Sequence, residues 1–80
     1  MKYANGFRRV QFDREWADMF YGLSDADAGQ LIKAIFADLD GKTVTIDNPV
    51  VQGIFVSLAM QIDTRAFRAL KRTGALDDSN

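Results

Sequence analysis

From Val51 to Leu70 an apolar residue returns every three or four positions: Val51, Ile54, Phe55, Leu58, Ile62, Ala66, Ala69 and Leu70. That spacing follows the turn of an α-helix and lasts longer than any other pattern in the chain. Asn48 stands before it as an N-cap, Pro49 suits the first helical position, and Gly74 follows as a stop. The pattern predicts one helix from Asn48 to Arg72, roughly 35 Å long at about 1.5 Å per residue. A chain of 80 residues cannot cover a helix of that length with its core. The C-terminal end is therefore expected to project or to meet a partner.

Two shorter helices precede it. Between Asp13 and Tyr21, the residues Trp16, Met19, Phe20 and Leu23 share one face and Arg14, Glu15 and Asp18 the other, with Asp13 as N-cap and Gly22 as the end. From Ser24 to Gly41 the apolar face is Ala28, Leu31, Ile32, Ile35, Phe36 and Leu39. Ser24 caps this helix, Asp25 and Asp27 meet the positive end of its dipole, and Gly41 sits where a left-handed residue is needed. Two short pieces alternate instead. Val10 and Phe12 interleave with Arg9 and Gln11, and Val44 and Ile46 with Thr43 and Thr45, a period of two that suggests strands. They are expected to pair, residues 8–12 with 42–46, as a two-stranded ribbon on the helices. The fold class is thus mainly α: a three-helix domain with a long C-terminal helix. It is read as one domain over residues 1–80, with 1–12 as an N-terminal arm or strand and 75–80 as a frayed tail.

Composition removes whole classes of chemistry. The chain has no cysteine and no histidine, so thiolate nucleophiles, Ser-His-Asp relays and zinc-hydrolase sites are excluded. Asp38, Asp40 and Gly41 faintly resemble a calcium loop, but Lys42 takes the next ligand position and no glutamate closes it. Glu15 and Asp18 make an acid and base pair only in the sense that any two helical carboxylates do. No enzyme, metal or cofactor is expected. With 48% hydrophobic and 26% charged residues the chain is too apolar for disorder and too interrupted by charge to span a membrane. Met1 to Gln11 holds no apolar run of a targeting segment, which makes a cytoplasmic location the default.

The net charge of −1 conceals an ordered distribution. Residues 1–14 carry +3, residues 15–63 carry −6, residues 64–72 carry +4, and Asp77 and Asp78 return −2. Arg65, Arg68 and Arg72 lie at i, i+3 and i+7 and form one strip. Cations there complement the negative helix end, and the same strip, with Arg8 and Arg9, suits phosphates or an acidic protein surface. Glu15, Asp18, Asp25, Asp27, Asp38 and Asp40 serve as solvated faces and caps in one reading. In the other they imitate a phosphate backbone and occupy a basic groove on a nucleic-acid enzyme.

Nine aromatics remain to be placed. Trp16, Phe20, Phe36 and Phe55 fall on inward stripes and are expected in the core. Tyr3, Phe7, Tyr21 and Phe67 fit less readily inside three short helices. Their surplus points to an interaction protein or a homodimer, with Tyr21 and Phe67 as partner-binding residues beside the arginines.

The ordered set EWADMFYGLSDADAGQLIKAIFADLDGKTV and NPVVQGIFVSLAMQIDTRAFRALK resembles a small helical family of unknown function found in bacteriophages and mobile elements, over residues 13–72. Members commonly continue into a lysine- and glycine-rich basic tail, whereas this sequence stops at ALDDSN. The resemblance implies phage origin and an all-helical domain. In size and origin the chain is also similar, as a class, to anti-CRISPR proteins. The leading expectation is a non-enzymatic inhibitor in the host bacterial cytoplasm. It would bind a CRISPR effector or another nucleic-acid-processing protein and block its nucleic-acid-binding surface. The runner-up is an accessory module of phage replication or transcription that touches DNA through Arg8, Arg9, Arg65, Arg68, Lys71 and Arg72.

Overall fold

A computed structural model describes residues 1–74. The expected tail, 75–80, lies outside the described residues. A single 3-10 turn, Arg14–Trp16, runs into α1, Ala17–Tyr21; α2 is Asp25–Leu39 and α3 is Pro49–Arg72.

The ends of α2 and α3 form as their sequences dictate. Ser24 Oγ accepts from the Asp27 amide at 3.1 Å, and Asn48 Oδ1 accepts from the Val50 amide at 2.9 Å, with Pro49 leading α3. Past α2 the Lys42 amide donates to the Ala37 carbonyl at 2.8 Å and the Gly41 amide to Asp38 at 3.1 Å. That paired geometry needs the left-handed φ of +75° that Gly41 provides.

Two contacts set the direction of packing. Asn48, at the start of α3, donates to Asp27, near the start of α2, at 3.5 Å. At the other end of α2, Asp38 holds the Met1 ammonium at 2.7 Å, and the residues after Met1 are bound to Asp63 on α3. The helices therefore run the same way, and residues 40–48 must return along the full length of α2. That distance is about 22 Å for fifteen helical residues, within the roughly 30 Å reach of a fully extended link of nine residues.

This return explains the alternation in residues 42–47 without a sheet. Val44 and Ile46 are half-buried against the core while Thr43, Thr45 and Asp47 face water, and Val44 lies over Gly29 to Ala37 of α2. Residues 9–11 lie elsewhere, beside Ile62 to Arg72 of α3. The expected ribbon of 8–12 with 42–46 does not form, and no strand occurs among the described residues. The alternation in burial holds at 43–46 but not at 8–12, where only Val10 is half-buried, and the two segments pack on different parts of the helix pair.

Leu31 and Ile35 from α2 and Val51 and Leu58 from α3 are the most deeply buried large side chains, joined by Phe55, Ile62, Ala66 and Trp16. Phe36 is not in this core: it is 56% exposed. It follows Leu31 by five residues, which at about 100° per residue turns it roughly 140° away from the packed face. Ala34 and Asp38 complete that face instead.

Because α2 ends level with the middle of α3, the apolar stripe continues past it, and the N-terminal arm, residues 1–13, covers the remainder. Ala4 is fully buried, and Tyr3 and Val10 pack against the core. The arm thus covers the apolar stripe of α3 beyond the end of α2. Asp63 fixes the arm. Its Oδ1 accepts from the Tyr3 amide at 2.6 Å and the Ala4 amide at 2.7 Å, and its Oδ2 from the Lys2 amide at 3.2 Å. Bonds to an ionised acceptor are worth more than neutral ones. Asp63→Asn should lower stability by about 2 to 3 kcal/mol, a fall in melting temperature of roughly 10 to 20 °C for a domain this small. Hydrogen exchange of the Tyr3 and Ala4 amides should accelerate with it. A change below about 0.5 kcal/mol, with protection intact, would show that the arm is held by its apolar contacts alone.

Candidate functional site

The arm reverses at residues 4–7, where the Phe7 amide donates to the Ala4 carbonyl at 3.0 Å and Gly6 takes a φ of +87°. A left-handed residue at the third position of a four-residue turn favours glycine. Beyond the turn, residues 7–11 run alongside the C-terminal half of α3 and leave a groove of about 400 Å³ between them. Ile62, Ala66, Ala69 and Val10 make its apolar floor. Arg9 from the arm and Arg65, Arg68 and Arg72 from α3 line it with guanidinium groups, and Phe7 closes one side. Arg8 lies next to Phe7 and Arg9 in an adjoining concavity.

The helical strip expected from the i, i+3, i+7 spacing is therefore real, and the fold adds Arg9 to it. Its members are not equivalent. Arg65 is half-buried and committed to structure: it pairs with the Asp13 carboxylate, donates to the Gln11 carbonyl at 3.3 Å, and lies 5.6 Å from the Trp16 ring centre. Asp13 occupies the N-cap position of the 3-10 turn but makes no capping bond, because its carboxylate is engaged by Arg65. This corrects the expected role of Asp13. Arg8, Arg9, Arg68 and Arg72 are exposed and make no ion pair among the described residues. Arg9, Arg65, Arg68 and Arg72 thus share one groove with, among the described residues, the single carboxylate of Asp13 to pair with them. Like charges held this close repel, and an anion in the groove relieves that repulsion.

The acidic residues do not gather in the same way. Asp25 and Asp27 open α2 while Asp38 and Asp40 end it, about 22 Å apart along the axis. Asp27 and Asp38 are half-buried and already serve Asn48 and the Met1 ammonium. Glu15, Asp18, Asp25 and Asp40 are exposed without an ion pair among the described residues. No group of three potential metal ligands occurs among the described residues. No helix there is long and apolar enough to cross a membrane.

Of the surplus aromatics, Tyr21 is 84% exposed at the end of α1. Phe67 stands outside the groove, edge-on to Tyr3 at 4.9 Å between ring centres, where it helps dock the arm. Phe7 and Phe12 are the partly exposed aromatics nearest the arginines, and Phe12 packs at 5.5 Å from Trp16. Sequence spacing alone could not place Arg9 and Phe7 here, since they meet α3 across more than fifty positions.

Residues 10–74 match a family of unknown function, DUF6291. The chain belongs to that family. The matched span holds all three helices and Arg65, Arg68 and Arg72, whereas Phe7, Arg8 and Arg9 precede it. No curated protein and no solved structure matches the chain.

The Asp13–Arg65 pair ties the arm to α3 at the groove's inner edge. A double-mutant cycle of Asp13→Asn and Arg65→Met should give a coupling of about 0.5 to 1.5 kcal/mol, more than an exposed pair gives. Additive effects would mean that Arg65 acts only through Gln11 and Trp16.

Proposed function

We propose that this chain is a non-enzymatic binding module that takes the phosphate backbone of a nucleic acid in its arginine groove, as an accessory module of phage replication or transcription. One observation carries the reading: Arg9, Arg65, Arg68 and Arg72 converge on one groove in which, among the described residues, only Asp13 offers a counter-charge. Guanidinium groups present forked donors that match phosphate oxygens, and the apolar floor excludes water beneath them. The chain as a whole carries −1, so attraction depends on orientation. The exposed carboxylates Asp25 and Asp40 on α2 weaken approach from other sides. Affinity should therefore be modest and strongly dependent on salt.

Fluorescence anisotropy with labelled oligonucleotides tests this. Three engaged phosphates give a log–log salt slope of roughly −2 to −3, a loss of about one to two orders of magnitude between 50 and 200 mM salt. The double variant Arg68→Ala, Arg72→Ala should flatten the slope by about 1.5 to 2. Binding that is undetectable at low salt, or indifferent to salt, would remove the reading.

A second reading is a phage-derived inhibitor that occupies the nucleic-acid-binding surface of a host defence complex such as a CRISPR effector, in the host cytoplasm. It is supported by Glu15, Asp18, Asp25 and Asp40, four exposed carboxylates with no internal ion pair among the described residues. Val56 and Met60, exposed on the outer face of α3, support self-association alongside it. Co-elution with such complexes, with loss of their target binding, distinguishes this reading, and light scattering gives the number of chains.

A further inference from the structure

The groove's walls bear on which form of nucleic acid fits. A duplex reader places an unobstructed helix in a major groove about 12 Å wide, and a helix with its side chains is already about 10 to 12 Å across. Here residues 7–11 lie along the arginine-bearing half of α3 and widen it on that side. Arg65 is turned inward to Asp13 and Gln11. The arginines therefore line a cleft between two backbone segments and do not stand on a protruding ridge.

The cleft also contains what a single strand needs and a duplex conceals. Phe7 is 36% exposed at the mouth, flanked in sequence by Arg8 and Arg9, and Phe12 is 38% exposed farther along the same segment. Aromatic faces beside cationic groups hold unstacked bases while the cations follow the phosphates. Gly6 sets the position of Phe7 through its left-handed turn, and no heavy atom lies within 4 Å of where a Cβ on Gly6 would be.

We propose that the groove between the arm and α3 takes single-stranded nucleic acid, with one base stacked on Phe7 and the neighbouring phosphates on Arg9, Arg68 and Arg72. The inference rests on the nucleic-acid reading above and goes beyond it by naming the form and the stacking residue. Duplex sites are excluded by the arm, and the strand's bases gain a platform that a paired base cannot reach.

The test compares a short oligothymidylate, its ribose counterpart and a duplex of equal length by anisotropy with the intact chain. Either single strand should bind at least about tenfold more tightly than the duplex, and Phe7→Ala should weaken single-strand binding by about tenfold, the loss of one stacked base. The salt slope should be unchanged in that variant, because no phosphate contact is removed. Phe7→Trp should retain affinity, and its emission should be quenched as single strand is added, a readout that does not depend on the fold of the alanine variant. Equal or tighter binding of the duplex, or single-strand affinity indifferent to Phe7→Ala with no quenching of Phe7→Trp, overturns this inference alone. Absence of salt-dependent binding to every form overturns both it and the reading on which it rests.

Discussion

The carboxylate of Asp63 accepts three consecutive backbone amides, from Lys2, Tyr3 and Ala4, and the rest of the molecule depends on that contact. Without it the arm is left with the buried Ala4, a few half-buried side chains, and the pairs Met1–Asp38 and Asp13–Arg65 toward its two ends. The last two turns of the apolar stripe on α3, Ile62 and Ala66 onward, would then face water. Three amides on one carboxylate also fix the direction in which the chain leaves α3. The turn at Gly6 follows at once and sends residues 7–11 back along the helix. Core coverage and the arginine groove thus have a common cause.

A small domain with a helix this long has an overhang to manage, and here two extended segments manage it. Parallel packing of α2 and α3 forces residues 40–48 to cross back over α2, which covers the N-terminal half of the pair. The arm covers the C-terminal half. The result is elongated, 45 Å by 26 Å by 21 Å, with its longest dimension set by α3. In residues 43–46 burial alternates because one side faces helices and the other faces water, while in residues 8–12 only Val10 is half-buried.

What was legible in the sequence follows from this division. Helix ends written in local chemistry, Ser24, Gly41, Asn48 with Pro49, and Gly74, were readable because each acts within four or five positions of itself. The strip of Arg65, Arg68 and Arg72 was readable for the same reason. Phe36 was misplaced because an apolar residue at the edge of a stripe satisfies helical spacing whether or not a neighbour covers it, and only the position of α3 decides that. Asp13 has the right identity for a cap, yet Arg65, fifty-two positions away, engages its carboxylate in preference. Alternation in residues 8–12 and 42–47 suggests strands that do not form, because the pattern carries no information on pairing, which depends on where the two pieces lie. Asp63 had no local signal at all: a lone aspartate on a helix looks the same whether it meets water or three amides.

The groove is divided between the arm and α3. Arg9 and Phe7 belong to the arm, while Arg68 and Arg72 belong to α3. An anion that bridges them binds only when the arm is docked, so it must stabilise docking by the amount that docking improves its affinity. At a ligand concentration one hundred times the dissociation constant this is about 2.7 kcal/mol, comparable to the worth assigned to the Asp63 contact. The same linkage works in reverse. Mutual repulsion among the guanidinium groups opposes docking of the empty arm, and the bonds to Asp63 together with the Asp13–Arg65 pair offset it. Asp63 is not among the residues that line the groove, and so holds the arm without pairing with the guanidinium groups. Asp13, which also ties the arm, is engaged by Arg65 and leaves Arg9, Arg68 and Arg72 without an ion pair among the described residues.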